Sequence, residues 1–152
     1  MKVRTYSGKE TQKIGYILAR RNISGLFALK GDLGSGKTTF LKGFAKGLNI
    51  KEEVLSPTFV VFKKYKTEKG FFYHFDAYRI NEKDLPALHF SQIIEEENSV
   101  VAVEWSENIE KALPQERVDV FFRFINKKER ELIIKGISAR IEKEIRARSS
   151  AG

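Results

Sequence analysis

The chain contains the stretch Gly31-Asp-Leu-Gly-Ser-Gly-Lys-Thr-Thr39, which matches the pattern G-x-x-x-x-G-K-[ST] of a phosphate-binding loop, the Walker A motif. Glycines in such a loop let the backbone curl, so that successive N–H groups point inward at phosphate oxygens. The ammonium group of Lys37 can reach the outer phosphates, and the hydroxyl of Thr38 is a hard oxygen ligand suited to Mg²⁺. The pattern therefore predicts that a nucleoside triphosphate is bound by Gly31, Asp32, Leu33, Gly34, Ser35, Gly36, Lys37, Thr38 and Thr39.

The residues on either side of this loop have the patterns of a strand and a helix. Upstream, Gly25-Leu-Phe-Ala-Leu29 is a short apolar run typical of a buried parallel strand. Downstream, apolar residues recur with helical spacing from Phe40 to Leu48. The predicted helix would direct its free N–H groups and the positive end of its dipole at the phosphates. This context argues against a glycine-rich turn that merely precedes a helix.

Length and composition indicate one globular domain. The chain has 152 residues, of which 41% are hydrophobic and 32% are charged. We expect residues 1–148 to form a single domain and residues 149–152 to be a frayed C-terminal tail. The sequence contains no cysteine, which excludes disulfides and cysteine-based zinc sites. It shows no apolar signal segment and no run long enough to span a bilayer, so we expect a cytoplasmic protein without a membrane partner.

The formal net charge of +8 is concentrated towards the C-terminus. Residues 126–148 carry eight basic and four acidic side chains, and this net +4 is half of the total. A basic surface favours anionic partners such as nucleic acid or an acidic protein face. A solvated helix with ion pairs four residues apart explains the same pattern, and the sequence leaves both interpretations open.

The remaining patterns predict an α/β protein with a mixed sheet. A capping box formed by Ser7 and Glu10 begins a helix that runs to about Arg21. The overall expectation is a three-layer P-loop NTPase-like fold, in which helices flank a central, partly parallel sheet that carries antiparallel hairpins. The expected elements are a hairpin of 59–65 and 71–75, a central strand at 99–104, a sheet-edge hairpin of 118–124 and 131–136, weak helices at 81–89, 93–97 and 108–113, and a basic helix at 138–148.

Two acidic residues end apolar strands, where a P-loop NTPase places a ligand of the Mg²⁺ shell or a catalytic base. Asp76 follows Phe71-Phe-Tyr-His-Phe75, and Glu104 follows Ser99-Val-Val-Ala-Val103. Both fit this role, and we favour Glu104 because its strand has the pattern of a central strand. Trp105 would then lie at the mouth of the site. His74 could act as a base, although a lone histidine among aromatic residues is more often structural.

A further candidate is Thr58, in the stretch Leu55-Ser-Pro-Thr-Phe59. Pro57 restricts Ser56 to extended geometry, which would present Thr58 from a stiff loop. In a P-loop protein, a threonine after the first helix is where a nucleotide-sensing switch residue lies. An ordinary turn before a strand is the alternative.

Other classes of P-loop protein fit less well. The chain has no D-x-x-G motif, and Asn126-Lys-Lys-Glu129 only approaches the N-K-x-D motif expected of a GTPase. A small-molecule kinase needs an arginine-bearing lid, whereas residues 81–98 form a short, acidic stretch. A non-catalytic, nucleotide-dependent RNA-binding adaptor that uses the basic helix remains an alternative.

The phosphate-binding loop is followed in order by Ser56-Pro-Thr-Phe59, His74-Phe-Asp-Ala-Tyr-Arg79 and Val103-Glu-Trp105. Together these four motifs resemble those of the TsaE (YjeE) family, a family of small bacterial P-loop ATPases needed to make threonylcarbamoyladenosine at position 37 of ANN-decoding tRNAs. The resemblance implies a nucleotide-gated partner of the TsaD–TsaB threonylcarbamoyl-transferase complex, through which any contact with tRNA would be indirect. It also implies slow hydrolysis of ATP by the isolated protein, with hydrolysis in the complex resetting it between turnovers.

The same resemblance assigns roles to individual residues. Thr38 and Glu104 would bind Mg²⁺, Thr58 would act as the switch residue, and Asp76 would lie near the metal or the attacking water. Trp105 would lie beside the ATP or ADP. Apart from the resemblance, the sequence places no obvious internal arginine finger, although Arg79 is a candidate. The implied catalytic set is Lys37, Thr58, Asp76 and Glu104, and the implied nucleotide contacts beyond residues 31–39 are Thr11, Trp105 and Arg130.

Overall fold

A seven-stranded mixed sheet forms the centre of the protein, in the order β1-β7-β6-β2-β5-β4-β3. The computed structural model describes residues 1–21, 25–55, 57 and 60–151, the last four by their backbone alone. The four inner strands β6, β2, β5 and β4 are parallel, whereas β1, β7 and β3 run antiparallel to their neighbours. The strands are β1 (Lys2–Thr5), β2 (Gly25–Lys30), β3 (Phe62–Lys66), β4 (Phe71–Asp76), β5 (Ser99–Glu104), β6 (Val118–Phe124) and β7 (Arg130–Lys135).

Helices cover both faces of this sheet and complete the expected three layers. One face packs against α1 and α2, and α4 packs on α1 through the buried side chain of Ile145. The opposite face packs against α3 and the short 3₁₀ segments around a second apolar cluster that includes Phe75 and Phe90. The helices are α1 (Gly8–Arg21), α2 (Lys37–Gly47), α3 (Phe90–Glu95) and α4 (Ala139–Ala151), with 3₁₀ turns at Glu82–Asp84, Pro86–Leu88 and Ser106–Ala112.

Local chemistry explains how the two helices nearest the phosphate-binding loop begin and pack. The N–H of Glu10 donates to the Ser7 hydroxyl at 3.2 Å, and the Glu10 carboxylate accepts from the N–H of Tyr6 at 2.7 Å, so the predicted capping box is present. Gly43 of α2 lies directly on the α1 backbone, where an added Cβ would come within 1.9 Å of the Gln12 carbonyl oxygen. This backbone-to-backbone contact sets the spacing between α1 and α2.

Several predicted elements need correction. The sequence analysis missed β1, which pairs with β7 and forms the sheet edge, so the β6–β7 hairpin is internal and not at the edge as expected. β3 begins at Phe62, because residues 60 and 61 bend and the Val61 carbonyl accepts from the N–H of Asp76 at 2.8 Å. Phe59, the expected first residue of that strand, lies outside the described residues.

The weakly helical segments also differ from expectation. Residues 81–89 form two 3₁₀ turns, the first capped by the Asn81 side chain, and Pro86 begins the second. The only α-helical part of this region is α3, which ends at Glu95, the first of three consecutive glutamates. At the C-terminus, α4 runs to Ala151, and Gly152 lies outside the described residues. The fraying expected of residues 149–152 stays a prediction. No helix within the described ranges is both long and apolar enough to cross a bilayer.

Candidate functional site

The phosphate-binding loop joins β2 to α2 at the carboxyl edge of the parallel strands, as the sequence predicted. Gly34 and Gly36 have φ values of 77° and 110°, which residues with a side chain rarely adopt. Gly31 lies against β6, and an added Cβ would meet the Phe122 carbonyl oxygen at 2.7 Å. The Ser35 hydroxyl is buried without a hydrogen-bond partner among the described residues. An unpaired buried hydroxyl within a curled backbone fits a site that is completed by an anionic ligand.

Lys37, the first residue of α2, is buried beneath the mouth of the site. Burial lowers the pKa of its ammonium group, and the nearby charge of Glu104 opposes that shift. The ammonium donates to the Gly31 carbonyl and lies 3.9 Å from the centre of the Trp105 ring. A desolvated cation held by one carbonyl and an aromatic face is suited to binding phosphate oxygens, which would supply the missing negative charge.

A cavity of about 490 Å³ opens above the loop. Residues 33–39 line one side, so all the predicted loop residues except Gly31 and Asp32 face it. The backbone carbonyl of Asp32 instead accepts from the N–H of Ser35 within the loop. The other walls bring together the predicted residues Asp76, Arg79, Glu104, Trp105 and Arg130, with Tyr78 between them.

The two acidic candidates lie side by side in this cavity. Asp76 and Glu104 are the last residues of the neighbouring parallel strands β4 and β5 and are partners in register. The Asp76 carboxylate accepts from the N–H of Tyr78 at 2.9 Å. Glu104 is only 4% exposed, and its Oε2 lies 2.7 Å from Nε2 of His74. The sequence predicted the strand of Glu104 to be central, and β5 indeed lies between β2 and β4.

This donor set fits one divalent cation that shares its ligands with a phosphate. Thr38, Asp76 and Glu104 line the same cavity. Within the described ranges, no group of three or more histidine, aspartate and glutamate side chains could hold a metal alone. Mg²⁺ is usually bound in this way, by one or two carboxylates together with substrate phosphates and water.

Trp105 and Tyr78 form an aromatic wall beside the loop. Their ring centres lie 5.0 Å apart, and Trp105 has a left-handed backbone conformation with φ 55° and ψ 39°. The next residue, Ser106, donates its hydroxyl hydrogen to the Leu29 carbonyl of β2 at 3.2 Å. The chain thus turns sharply after β5, which places the Trp105 ring over Lys37.

A second cavity, of about 600 Å³, lies on the other side of the loop. Gly36, Thr39 and Arg130 line both cavities, so the two spaces adjoin. Thr11, predicted from the family resemblance to approach the base, lines this second cavity. The residues that sequence reasoning missed here are Tyr6, Ser7, Gly8, Lys127 and Lys128.

Arg130 lies at the boundary between the two cavities. It is the first residue of β7, and its guanidinium donates to the Asn126 and Glu129 carbonyls of the preceding turn. The Phe124 ring lies 4.7 Å from the guanidinium carbon, and the buried Nε has no partner among the described residues. Arg130 is therefore held in place by the turn and retains a donor for a ligand. Thr58, the predicted switch residue, lies outside the described residues.

Comparisons with known sequences and structures all indicate the same protein family. The family model described as threonylcarbamoyl adenosine biosynthesis protein TsaE matches residues 5–132. A Bacillus subtilis protein named tRNA threonylcarbamoyladenosine biosynthesis protein TsaE is 38% identical over 143 residues, which are 93% of this chain and 89% of that protein. A Treponema pallidum protein of the same name is 32% identical over 133 residues, covering 84% and 95% of the two chains. The crystal structure of Bacillus subtilis YdiB matches with a TM-score of 0.72 and 34% identity, covering 99% of this chain and 94% of that one. The chain belongs to the TsaE family.

Proposed function

We propose that this protein is a Mg²⁺-dependent ATPase of tRNA threonylcarbamoyladenosine biosynthesis. The observation that carries the proposal is the meeting of three features at one cavity: the curled glycine loop, the buried Lys37 ammonium and the adjacent carboxylates Asp76 and Glu104. Family membership supports the pathway, since the curated relatives are named for it. The expected cytoplasmic location follows from a role in tRNA modification.

The two adjoining cavities suit the two ends of ATP. The triphosphate would lie in the cavity above the loop, where Lys37, the loop amides and the start of α2 face the phosphates. The ribose and base would pass Gly36 and Thr39 into the second cavity, beside Thr11 and below the turn that holds Arg130. Thr38 and Glu104 would hold the Mg²⁺, which neutralises charge on the phosphate oxygens when it is bound.

Hydrolysis at this site needs little covalent chemistry from the protein. A water oxygen attacks the γ-phosphorus, the bond to the bridging oxygen breaks, and the products are ADP and inorganic phosphate. Asp76 lies at the edge of the cavity, where its carboxylate can orient that water or accept its proton. Lys37 stabilises the charge on the phosphate oxygens, and Arg79 of the same cavity is the candidate for an arginine finger.

We further propose that the TsaD–TsaB complex is the partner and that hydrolysis resets it between turnovers. Large apolar side chains stand exposed at the rim of the triphosphate cavity, where a docked partner would cover them: Leu33 is 80% exposed and Tyr78 is 54% exposed. A partner at this rim would sense the nucleotide and could complete the site. In this scheme the isolated protein turns over slowly, and any contact with tRNA occurs through the complex.

The test is ATP hydrolysis by the pure protein, with and without TsaD–TsaB. We expect slow turnover that rises with the partner and is lost in Glu104→Ala. The matched control is Glu97→Ala, which removes an exposed carboxylate outside both cavities and should leave both rates unchanged. Turnover by the isolated protein at roughly 1–100 s⁻¹, as in dedicated kinases, would contradict the proposal. So would a rate that is indifferent to the partner, or full activity of Glu104→Ala.

A further inference from the structure

We propose that His74 is a positioning residue that fixes the Glu104 carboxylate for Mg²⁺ binding and takes no part in the chemistry itself. The inference rests on the function proposed above, because it concerns the metal ligand of that site. His74 Nε2 lies 2.7 Å from Glu104 Oε2, and the two residues are 1% and 4% exposed. The contact is therefore shielded from water, where a hydrogen bond orients its partners most strongly.

The sheet geometry places the imidazole behind the carboxylate. His74 lies two residues before Asp76 on β4, and its register partner on β5 is Ala102, two residues before Glu104. Because Ala102 carries only a methyl group, the imidazole can extend along the sheet to Glu104. The triphosphate cavity is lined by Asp76 and Glu104 but not by His74. His74 thus holds one carboxylate oxygen from the protein interior, and Glu104 itself faces the ligand.

The hydrogen-bonding capacity of the two groups fixes the direction of this bond. An ionised carboxylate only accepts hydrogen bonds, so Nε2 of His74 must carry the proton and donate it. Nδ1 is buried without a partner in the described part of the chain. Among the described residues, the imidazole therefore has a single polar contact, and that contact is with Glu104.

The surroundings of His74 indicate that the hydrogen bond to Glu104 explains why this position is a histidine. Its neighbours on β4 are phenylalanine and tyrosine, and the His74 ring lies 6.2 Å from the Phe72 ring, at an angle of 12°. A purely structural position in this aromatic strand would be filled equally well by an apolar ring. Within the described ranges, the polar edge of the imidazole contacts only Glu104, the carboxylate proposed to bind the metal.

Loss of the Nε2 donor would remove the hydrogen bond to Glu104 Oε2 and fix the orientation of the carboxylate less tightly. Removing a partner that orients a metal ligand typically lowers metal affinity about 10–100-fold. Nucleotide affinity in the absence of metal should be unaffected, since His74 does not line either cavity. This separation distinguishes a positioning role from a general loss of structure.

Two amide variants form a matched test. The side-chain nitrogen of His74→Gln can occupy the position of Nε2, whereas that of His74→Asn reaches only the position of Nδ1. We would measure ATP binding by calorimetry in EDTA and at increasing Mg²⁺, together with thermal unfolding of each variant. We expect His74→Asn to raise the half-saturating Mg²⁺ concentration roughly 10–100-fold and His74→Gln to stay within about threefold of the wild type. In EDTA, all three proteins should bind ATP alike.

Equal Mg²⁺ dependence in His74→Asn and the wild type would overturn the inference, as would an equal loss in both variants or a loss that persists in EDTA. If His74→Asn fails to fold, a Mg²⁺ dependence of His74→Gln more than tenfold weaker than that of the wild type would also overturn it. In a Glu104→Ala background, His74→Asn should have no further effect on Mg²⁺ dependence. A wild-type protein that does not bind ATP, or binds it independently of Mg²⁺, would instead refute the proposed function.

Discussion

Replacing Gly43 by alanine tests whether α1 and α2 pack as closely as the structure shows. The new Cβ would lie 1.9 Å from the Gln12 carbonyl oxygen and 2.6 Å from the Gln12 Cα. These are backbone atoms, so α1 as a whole must withdraw by roughly 1 Å to reach even 3.0 Å, and a close-packed interior resists such a shift. Overpacking of this kind costs about 3 kcal/mol at the upper end of its usual range. Alanine is favoured over glycine in a helix by about 1 kcal/mol, so the net loss is about 2 kcal/mol.

The assay is urea unfolding, supported by thermal unfolding of the same variant. For a chain of this size, a loss of about 2 kcal/mol lowers Tm by about 4–8 °C. The control is Gly8→Ala at the first position of α1, where an added Cβ makes an ordinary contact of 3.6 Å with the Thr39 methyl group. That variant should be neutral or more stable by up to about 1 kcal/mol. If Gly43→Ala were as stable as the wild type, the close approach of the two helices would be refuted.

Two further predictions concern single aromatic side chains. Burial and the hydrogen bond to Glu96 raise the pKa of Tyr73 from 10.0 to about 12. Between these two values the folded state keeps a proton that the unfolded chain releases. The free energy of unfolding should therefore fall as the pH rises from about 10 towards 12. Urea unfolding across this range should show a smaller fall for Tyr73→Phe, and an equal fall would contradict the assignment. Trp105 is the only tryptophan in the sequence, and the centre of its ring lies 3.9 Å from the Lys37 ammonium. ATP binding should therefore change the Trp105 fluorescence if the ammonium moves to the phosphates. Lys37→Met should abolish the response, and an ATP-bound protein with unchanged emission would show that the contact persists.

The sequence predicted the parts of the fold that have strong local patterns. The strand–loop–helix unit around Lys37 and the buried strand ending at Glu104 are present as expected, because continuous apolar runs and glycine spacing are local signals. The capping box at Ser7 could also be predicted, because its hydrogen bond joins residues only three positions apart. The edge strand β1 was missed since Lys2-Val-Arg-Thr5 has few apolar residues and gains its hydrogen bonds only by pairing with distant β7. Without β1, the β6–β7 hairpin was wrongly placed at the edge.

For the candidate site, the residues that belong to local motifs could be predicted from the sequence. Residues that reach the site only through contacts between distant parts of the chain could not. Asp76 and Glu104 were both identified, but only the pairing of β4 with β5 shows that they are neighbours. Arg130 was indicated by family resemblance alone, and the fold accounts for it by placing the turn before β7 above the loop. The bond between His74 and Glu104 spans 30 residues, so no local pattern could reveal it. Tyr6 and Lys127 line the second cavity together although they are far apart in the sequence, so no local pattern could predict them either.

The contact of Lys37 with Gly31 and Trp105 has a consequence for the affinity of any ligand that engages the Lys37 ammonium. A phosphate that draws the ammonium away from the Trp105 ring would break a cation–π contact, which contributes about 0.5–2 kcal/mol. Such a ligand would bind about 2–30-fold more weakly than it would to a Lys37 without this contact. A triphosphate that engages the whole loop can offset this loss, whereas inorganic phosphate or a mononucleotide monophosphate has fewer contacts with which to do so. Because the same cost applies to every ligand that engages Lys37, the resting position of this side chain would lower occupancy by weakly binding anions without changing the ratio of two affinities.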